Sequence, residues 1–485
     1  MLLSSIKKHT QHCAIQTESA SISYQQLYIQ INDLMKKLAS FGAQTRVALA
    51  MNNTPAWLML DIAAMELGIV NVPLPTFFSV QQLQHAVLDS GANLLITDQP
   101  QRFESIFSKL IQKSESIDIA GQSYSVFLLE SAQTALPQHT SKITYTSGTT
   151  GNPKGVCLSK EAMLAVASAI QQSVVTTPLD HHLCVLPFAT LLENVAGVYA
   201  SFLGGACVHV YPSEQVGLNG SNLDIKQLHS ALTNSHASTA IFIPELLKAL
   251  VLYCGTGAPK PQQLRFLAVG GAHIATPILQ QAQELGLAVY QGYGLSESAS
   301  VVCLNTPASN VIGSVGKPLP HLQVKLSADN EILVKGANYL AYTHSADSQQ
   351  DYINTGDIGY FDDSGHLFIK GRKKNIFITS YGRNVSPEWV ETELTLSKNI
   401  SQACLFGEAK PSNTAIIVAK ENFAPEQLAA EIAQINHQLP DYAQVSQWLI
   451  ADAPFSTSNQ QLTANGRLKR DVIWQFYQDK INAIY

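Results

Sequence analysis

From about residue 20 onward, short apolar runs alternate with longer amphipathic segments, and this rhythm restricts the fold more than any single motif. Ser23–Ala39 has helical spacing with Ser23 placed to cap it, Val47-Ala-Leu-Ala-Met reads as a strand, and Pro55 opens a helix that should end near Gly68. A helix at Val80–Ser90 and a strand at Asn93–Thr97 follow. The alternation resumes with helix Glu161–Gln172, strand Leu183–Leu186, helix Glu193–Leu203 and strand Ala206–Tyr211. It continues through strand Thr239–Ile243, helix Leu246–Tyr253, strand Arg265–Val269, helix Thr276–Leu285 and strand Ala288–Tyr290. Such a series predicts an α/β fold whose large N-terminal domain layers helices on mostly parallel β-sheets. After Gly313 the texture changes to short hairpin strands (Gln323–Leu326, Glu331–Val334, His366–Ile369) with a turn at Asp362-Asp363-Ser364-Gly365, which reads as a small β subdomain. Beyond Gly371 a small α+β unit of just over a hundred residues completes the chain.

In parallel sheets, ligands bind beyond the carboxyl ends of the strands. Three glycine-rich turns follow strands here: Gly148 with Gly151, Gly270-Gly271-Ala272, and Gln291-Gly292-Tyr293-Gly294. The first lies in Tyr145-Thr-Ser-Gly-Thr-Thr-Gly-Asn-Pro-Lys-Gly155, which packs three glycines, four Ser/Thr hydroxyls and one lysine into eleven residues. Glycines let the backbone turn sharply and bring N–H groups to an anion, hydroxyls add donors, and Lys154 adds a mobile positive charge. The loop grips phosphate, yet it is not a Walker loop, because Pro153 and Gly155 flank the lysine.

As it stands, this loop resembles the phosphate loop of the adenylate-forming superfamily, which includes acyl- and aryl-CoA synthetases, peptide-synthetase adenylation domains and firefly luciferase. Tyr293-Gly-Leu-Ser-Glu297 resembles the superfamily's second motif, and Asn354-Thr-Gly-Asp-Ile-Gly-Tyr360 with Gly371-Arg-Lys-Lys-Asn375 resembles the pair that holds ribose. Ile22-Ser-Tyr, Asn71-Val-Pro-Leu-Pro, Asp89-Ser-Gly-Ala and Gly313-Ser-Val-Gly-Lys-Pro-Leu-Pro320 also match, so the resemblance covers roughly residues 20 to 475 and is nearest to medium- and long-chain fatty acyl-CoA synthetases. It implies that Thr146, Ser147, Gly148, Thr149, Thr150, Gly151 and Lys154 hold the outer phosphates of ATP. It places Gly271, Ala272 and Tyr293 beside adenine, adds Gln291, Gly292 and Gly294 to the ATP-binding set, and puts Ser296 on the α-phosphate and Glu297 on Mg²⁺. Asp357 would accept from both ribose hydroxyls, as a carboxylate can, with Arg372 beside it. The division implied is 1–373 for the AMP-binding domain and 374–485 for a small mobile domain that rotates about a hinge near Lys374.

Two departures bear on the chemistry. A carboxylate approaching an α-phosphate meets a repulsion of roughly 4 kcal/mol at about 4 Å in a dielectric near 20, so the site needs cations, a metal and oriented donors. The family supplies a C-terminal lysine, but this chain reads Asn465-Gly-Arg-Leu-Lys-Arg470, with Arg467 in the lysine's slot and Lys469 two residues on. In an extended segment those two share a face, so both are expected at the site. In Leu186-Pro-Phe-Ala-Thr-Leu-Leu-Glu-Asn194, Thr190 stands where the family usually has histidine, while Glu193 keeps an acidic position.

Phe188, Thr190, Ile243 and Gly270 are the expected acyl or carboxylate pocket. No Asp marks an amino-acid pocket near Ile241-Phe-Ile-Pro, which fits a fatty or aromatic acid. Phe377–Glu391 resembles the thiol-side loop, with Gly382 giving room for a pantetheine arm. The resemblance therefore implies a carbon–sulfur ligase that uses ATP, Mg²⁺ and coenzyme A, or a phosphopantetheine carrier, to form an acyl-adenylate and then a thioester. Loading of an acyl carrier protein, transfer to an amine, and a non-catalytic nucleotide-binding module stay open as alternatives. A net charge of −6 with no basic block excludes a nucleic-acid binder. The seven scattered cysteines, none in a CxxC pair, predict reduced thiols in a cytoplasmic protein and no metal site. Val195–Tyr211 is broken by three glycines and is too short to span a bilayer, which leaves peripheral membrane contact open.

Overall fold

The computed structural model describes residues 1–132, 134–146, 153–219, 222–345, 351–420, 425–463 and 466–485. Two large sheets build the N-terminal part. One runs, in spatial order, Lys317–Pro318, Cys303–Leu304, Val289–Tyr293, Phe266–Val269, Thr239–Phe242, His181–Leu183, Cys207–His209, Cys13–Gln16 and Ser21–Ser23. Its six strands from Val289–Tyr293 to Cys13–Gln16 are parallel, and its margins are antiparallel. The other runs Ala341–Tyr342, Lys154–Ser159, Thr140–Thr146, Val70–Pro73, Arg46–Ala50, Leu94–Thr97, Gln122–Leu129 and Ile111–Ile119, with the middle four parallel.

The strand period of two sorts side chains into separate cores. Val47 and Leu49 face a central cluster, whereas Ala48 and Ala50 face a second cluster with helices Val80–Ser90 and Pro100–Phe107. Across the molecule, Val208 and Val210 face the central cluster, and Leu183, Ala240 and Val269 face a third one under helices Ile225–Asn234, Pro244–Gly255 and Thr276–Glu284. The central cluster therefore lies between the sheets, and the helices inside it must be apolar all round. Pro55–Leu67 is such a helix: residues 56–65 are all buried. Thr54 caps its start and Gly68, at φ 72°, ends it. Asp61, the charge among those buried residues, pairs with Lys142 at 2.9 Å and accepts from Asn71, Asn194 and Tyr199. A buried ion pair is tolerated only when its remaining lone pairs are used, and here they are.

Several boundaries depart from expectation. The strand expected at Leu183–Leu186 is His181–Leu183, because the Glu193 carboxylate accepts from the Val185 and Leu186 N–H groups at 3.1 and 2.7 Å and so ends the ladder. The helix expected at Glu193–Leu203 is a π-helix over Leu192–Tyr199 that continues as α-helix Ala200–Gly204. In the hairpin Ile111–Ile119/Gln122–Leu129 the first strand has no apolar signature, since it is mostly exposed at the sheet edge.

A four-stranded antiparallel sheet (Gln323–Leu326, Glu331–Lys335, Ile353–Phe361, Leu367–Arg372) follows, and its register sets Asp357 directly opposite Arg372. From residue 377 onward, two further cores form on the two faces of a three-stranded sheet, Ile400–Phe406, Asn413–Ala419 and Val445–Ile450. Ala403, Leu405, Ala415 and Ile417 face one core, and Cys404, Ile416 and Val418 face the other.

Candidate active site

A cavity of about 1020 Å³ lies beyond the carboxyl ends of Thr239–Phe242, Phe266–Val269 and Val289–Tyr293. Its wall includes Gly270, Gly271 and Ala272, then Gln291 through Glu297, and across from these Asp357 and Arg372. Two of the three glycine turns thus converge. Of the third, Ser147, Gly148, Thr149, Thr150 and Gly151 lie outside the described residues. Thr146 ends the strand before them, and Lys154, on the wall, begins the next with its Nζ 5.3 Å from the Tyr342 ring centre. Gly294 is a steric necessity, because a Cβ there would sit 1.7 Å from the Ser300 carbonyl oxygen. Gly271 adopts φ +89°, in the left-handed region, which turns its carbonyl oxygen toward Arg467.

Asp357 is the electrostatic centre of the wall. Its Oδ1 takes Arg372 Nε at 2.9 Å and its Oδ2 accepts from the Tyr293 hydroxyl at 2.5 Å. Arg372 also donates to the Thr355 carbonyl at 3.0 Å, so the guanidinium is held in place. Burial raises the Asp357 pKa above its ordinary 3.8, against the opposing pull of Arg372 and Tyr293. Burial and the neighbouring Asp357 carboxylate push the Tyr293 phenol well up, which keeps it a donor. Glu297 accepts from the Tyr342 hydroxyl at 2.8 Å. Ser296 and Glu297 form a short 3-10 turn on the wall.

The C-terminal segment reaches into the same cavity. The N–H of Gly466, at φ +75°, donates to the Thr463 carbonyl at 2.9 Å, and Arg467 donates through its guanidinium to the Gly271 carbonyl at 3.2 Å. Its side chain faces the open cleft, yet desolvation and the adjacent Arg372 lower its pKa. Lys469 is not on the wall. It occupies the N-cap of helix Arg470–Asn482, where its N–H donates to Gln461 and Leu468 and Arg470 face the cavity instead. The turn into the helix breaks the extended geometry that would have put Arg467 and Lys469 on one face. Arg470 is committed elsewhere, forming a bidentate pair with Glu391.

Among the pocket candidates, Gly270 and Thr190 line the cavity, though Thr190 Oγ1 donates to the Pro187 carbonyl at 2.7 Å. Phe188 does not line it: its ring is buried against Trp57, centres 5.4 Å apart. Ile243 is also off the wall and exposed just before helix Pro244–Gly255, while Ile241 faces the cavity. Lys374 lines the cavity. Gly382 does not, and the neighbouring Tyr381 is exposed.

Sequence reasoning passed over two parts of the wall. Tyr339 and Tyr342 come a few residues after the strand Glu331–Lys335, with no motif of their own. His182 lines the inner end, with Nδ1 2.9 Å from Thr239 Oγ1 and Nε2 2.8 Å from Glu193 Oε1. The available signal was the acidic residue Glu193 inside an otherwise apolar run.

A family model for the AMP-binding enzyme matches residues 3–338, and one for the AMP-binding enzyme C-terminal domain matches residues 374–485. The chain belongs to the AMP-binding enzyme family. Within that family, a 2-succinylbenzoate–CoA ligase of Bacillus mycoides is 27% identical, with 82% of this chain and 83% of the relative aligned. The long-chain-fatty-acid–CoA ligase FadD15 of Mycobacterium bovis is 25% identical over 94% of this chain and 91% of its own. The o-succinylbenzoate CoA synthetase of Bacillus subtilis, solved with its acyl-adenylate intermediate, superposes with a TM-score of 0.79 at 22% identity, covering 97% and 96% of the two chains. An anthranilate CoA ligase with anthranoyl-AMP superposes at 0.80 and 16% identity, covering 98% and 96%. The layered sheets described above are thus the fold of adenylate-forming enzymes.

Proposed function

We propose that this protein is an ATP-dependent acid–thiol ligase acting on an apolar monocarboxylic acid, fatty or aromatic. The observation that carries the reading is one cavity on which the Asp357–Arg372 pair, the turns at Gly270–Ala272 and Tyr293–Glu297, and Arg467 from the C-terminal segment all meet. A carboxylate oxygen of the acid attacks the α-phosphorus of ATP and pyrophosphate leaves. The thiol sulfur of coenzyme A then attacks the acyl carbonyl carbon and AMP leaves. Asp357 holds the ribose diol through its free lone pairs, Tyr293 and Gly270–Ala272 flank adenine, and Ser296 and Lys154 face the phosphates. Arg467 offsets the repulsion between acid and phosphate. Glu297 fits Mg²⁺, which takes one or two carboxylates together with phosphate oxygens, and such an ion would neutralise charge on the leaving pyrophosphate. Residues 374–485 form the small domain, and rotation about Lys374 exchanges Arg467 for the Gly382 loop between the two half-reactions.

The acid class follows from the inner part of the cavity. Its wall runs between the sheets to Ile170, Val174, Ala196, Gly197, Ala200 and Phe266, where small residues on the π-helix leave a channel. Among the described residues, the lysines and arginines on the wall are Lys154, Lys370, Arg372, Lys374, Arg467 and Arg470, and none lies between the sheets. His182, the titratable group at the inner end, has both ring nitrogens engaged. A second carboxylate there would be uncompensated, which supports a monocarboxylic acid over a dicarboxylic one. The test is pyrophosphate release from Mg-ATP over fatty, aromatic and dicarboxylic acids, with and without coenzyme A. Acid-dependent release that turns over with coenzyme A supports the ligase. A single burst without turnover moves the acceptor to a carrier protein or an amine. ATP binding without release from any acid overturns the catalytic reading.

A further inference from the structure

A second cluster of metal-competent side chains lies apart from the cavity, on the sheet margin where the first residues of the chain join the fold. We propose that His181, Cys207 and His209, with Cys13 as the fourth ligand, form a binding site for a thiophilic divalent cation of the zinc class. The parallel register pairs His181 with Cys207, and Cys207 and His209, two residues apart on one strand, point to the same face. His181 Nδ1 lies 2.8 Å from His209 Nε2, and one donor atom each from His181, Cys207 and His209 all fall within 4.8 Å of one another. Cys13, on the neighbouring strand, brings its Sγ to 2.8 Å from Cys207 Sγ. A tetrahedral ion with bonds of about 2.0–2.1 Å to nitrogen and about 2.3 Å to sulfur needs donor separations of about 3.3–3.8 Å, so small rotations bring the His181, Cys207 and His209 donors into range, and Cys13, placed by its contact with Cys207, completes the set by turning toward the histidines.

The surroundings suit a metal. The Tyr211 hydroxyl sits 3.2 Å from His209 Nδ1, fixing the ring with Nε2 toward His181, as outer partners of metal-bound histidines do. Cys207 and His209 are each 5% exposed, whereas His181 and Cys13 are half-buried and leave an entry path. None of the four lines the nucleotide cavity. A mixed Cys/His set selects a borderline-soft ion over Mg²⁺, which prefers oxygen. The nearby trio His182, Cys184 and Glu193 is a poorer candidate, since its imidazole and carboxylate are already hydrogen-bonded to Thr239, to each other and to backbone N–H groups. Spacing along the chain hid the proposed site, because its ligands come from residues 13, 181, 207 and 209 and only the sheet assembles them. The ion would tie the strand Cys13–Gln16 to two strands from the middle of the chain.

The experiment uses the full chain, stripped with a chelator under reducing conditions and titrated with Co²⁺ and then Zn²⁺. One equivalent of Co²⁺ should produce a near-ultraviolet thiolate charge-transfer band and four-coordinate visible bands, both bleached by Zn²⁺. Cys13→Ser and Cys207→Ser should each reduce the charge-transfer band, and the double variant should abolish it. Tyr211→Phe, a mild change that keeps the ligands, should weaken binding by about tenfold. Cys184→Ser should leave the spectrum intact. Absence of a thiolate band, its survival in the double variant with native circular dichroism, or its loss on Cys184→Ser would each overturn the proposal. If the double variant does not fold, an unchanged Co²⁺ affinity in His181→Ala does so instead.

Discussion

Removing the Glu193 carboxylate should destabilise the protein by a calculable amount. Glu193 is fully buried and accepts three hydrogen bonds, from His182 Nε2 at 2.8 Å, Val185 N at 3.1 Å and Leu186 N at 2.7 Å. Alanine would leave all three donors buried without a partner, and each such group costs about 1–3 kcal/mol. The expected loss for Glu193→Ala is therefore about 3–9 kcal/mol, a large share of the ~5–15 kcal/mol that holds a typical domain. Glu193→Gln separates charge from geometry. The amide oxygen still accepts from the backbone donors, and its NH₂ meets His182 Nε2 as an acceptor once the ring proton moves to Nδ1, where Thr239 Oγ1 accepts it. Gln should then cost about 1 kcal/mol. Urea unfolding followed by circular dichroism reads both: with a slope near ~3 kcal/mol/M, the alanine midpoint falls by roughly 1–3 M and the glutamine midpoint by a few tenths. An alanine midpoint within error of wild type would refute the argument that this carboxylate terminates the strand and anchors the π-helix.

Three further outcomes test the site. Arg467→Ala should lower the rate of pyrophosphate release by about 10²–10³-fold, the scale for losing one preorganised donor, while Lys469→Ala, off the cavity wall, should change it less than about threefold. Protonation of Asp357 removes a diol acceptor, so nucleotide affinity should fall as the pH drops; because burial raises this pKa, equilibrium titrations of ATP should show the acid limb above 3.8. Ala200→Phe places a ring in the inner channel and should cut kcat/KM for long acids by at least about tenfold while sparing short ones, as measured over a chain-length series. Equal losses for all lengths would mean that the acid does not use this channel.

Much of the site was legible in local sequence because its chemistry is local. Gly294 is required by one close approach within its own turn, and the separation of Asp357 from Arg372 is the arithmetic of a hairpin that sets them opposite each other. The capping of Tyr24–Ala39 by Ser23 and of Pro55–Leu67 by Thr54 with Gly68 depends on residues three or four apart, so those elements were readable as well. Phe188 and Ile243 show where this reading stops. Phe188 precedes the wall residue Ala189 and Ile243 lies two residues past Ile241, but which residue faces the cavity depends on where a strand ends, and for Phe188 that end is set by a carboxylate from the following helix.

The sequence by itself determined the α/β class, the family and the turns that converge on the cavity, because each rests on short-range geometry and on side chains of one chemical kind. Tertiary structure decided that Arg467, and not Lys469, lines the cleft, since a helix start two residues on redirects the chain. It also decided the depth of the channel and the meeting of Cys13, His181, Cys207 and His209. Those contacts join residues up to 196 positions apart, and only the packing of strands from distant parts of the chain determines which side chains share a face.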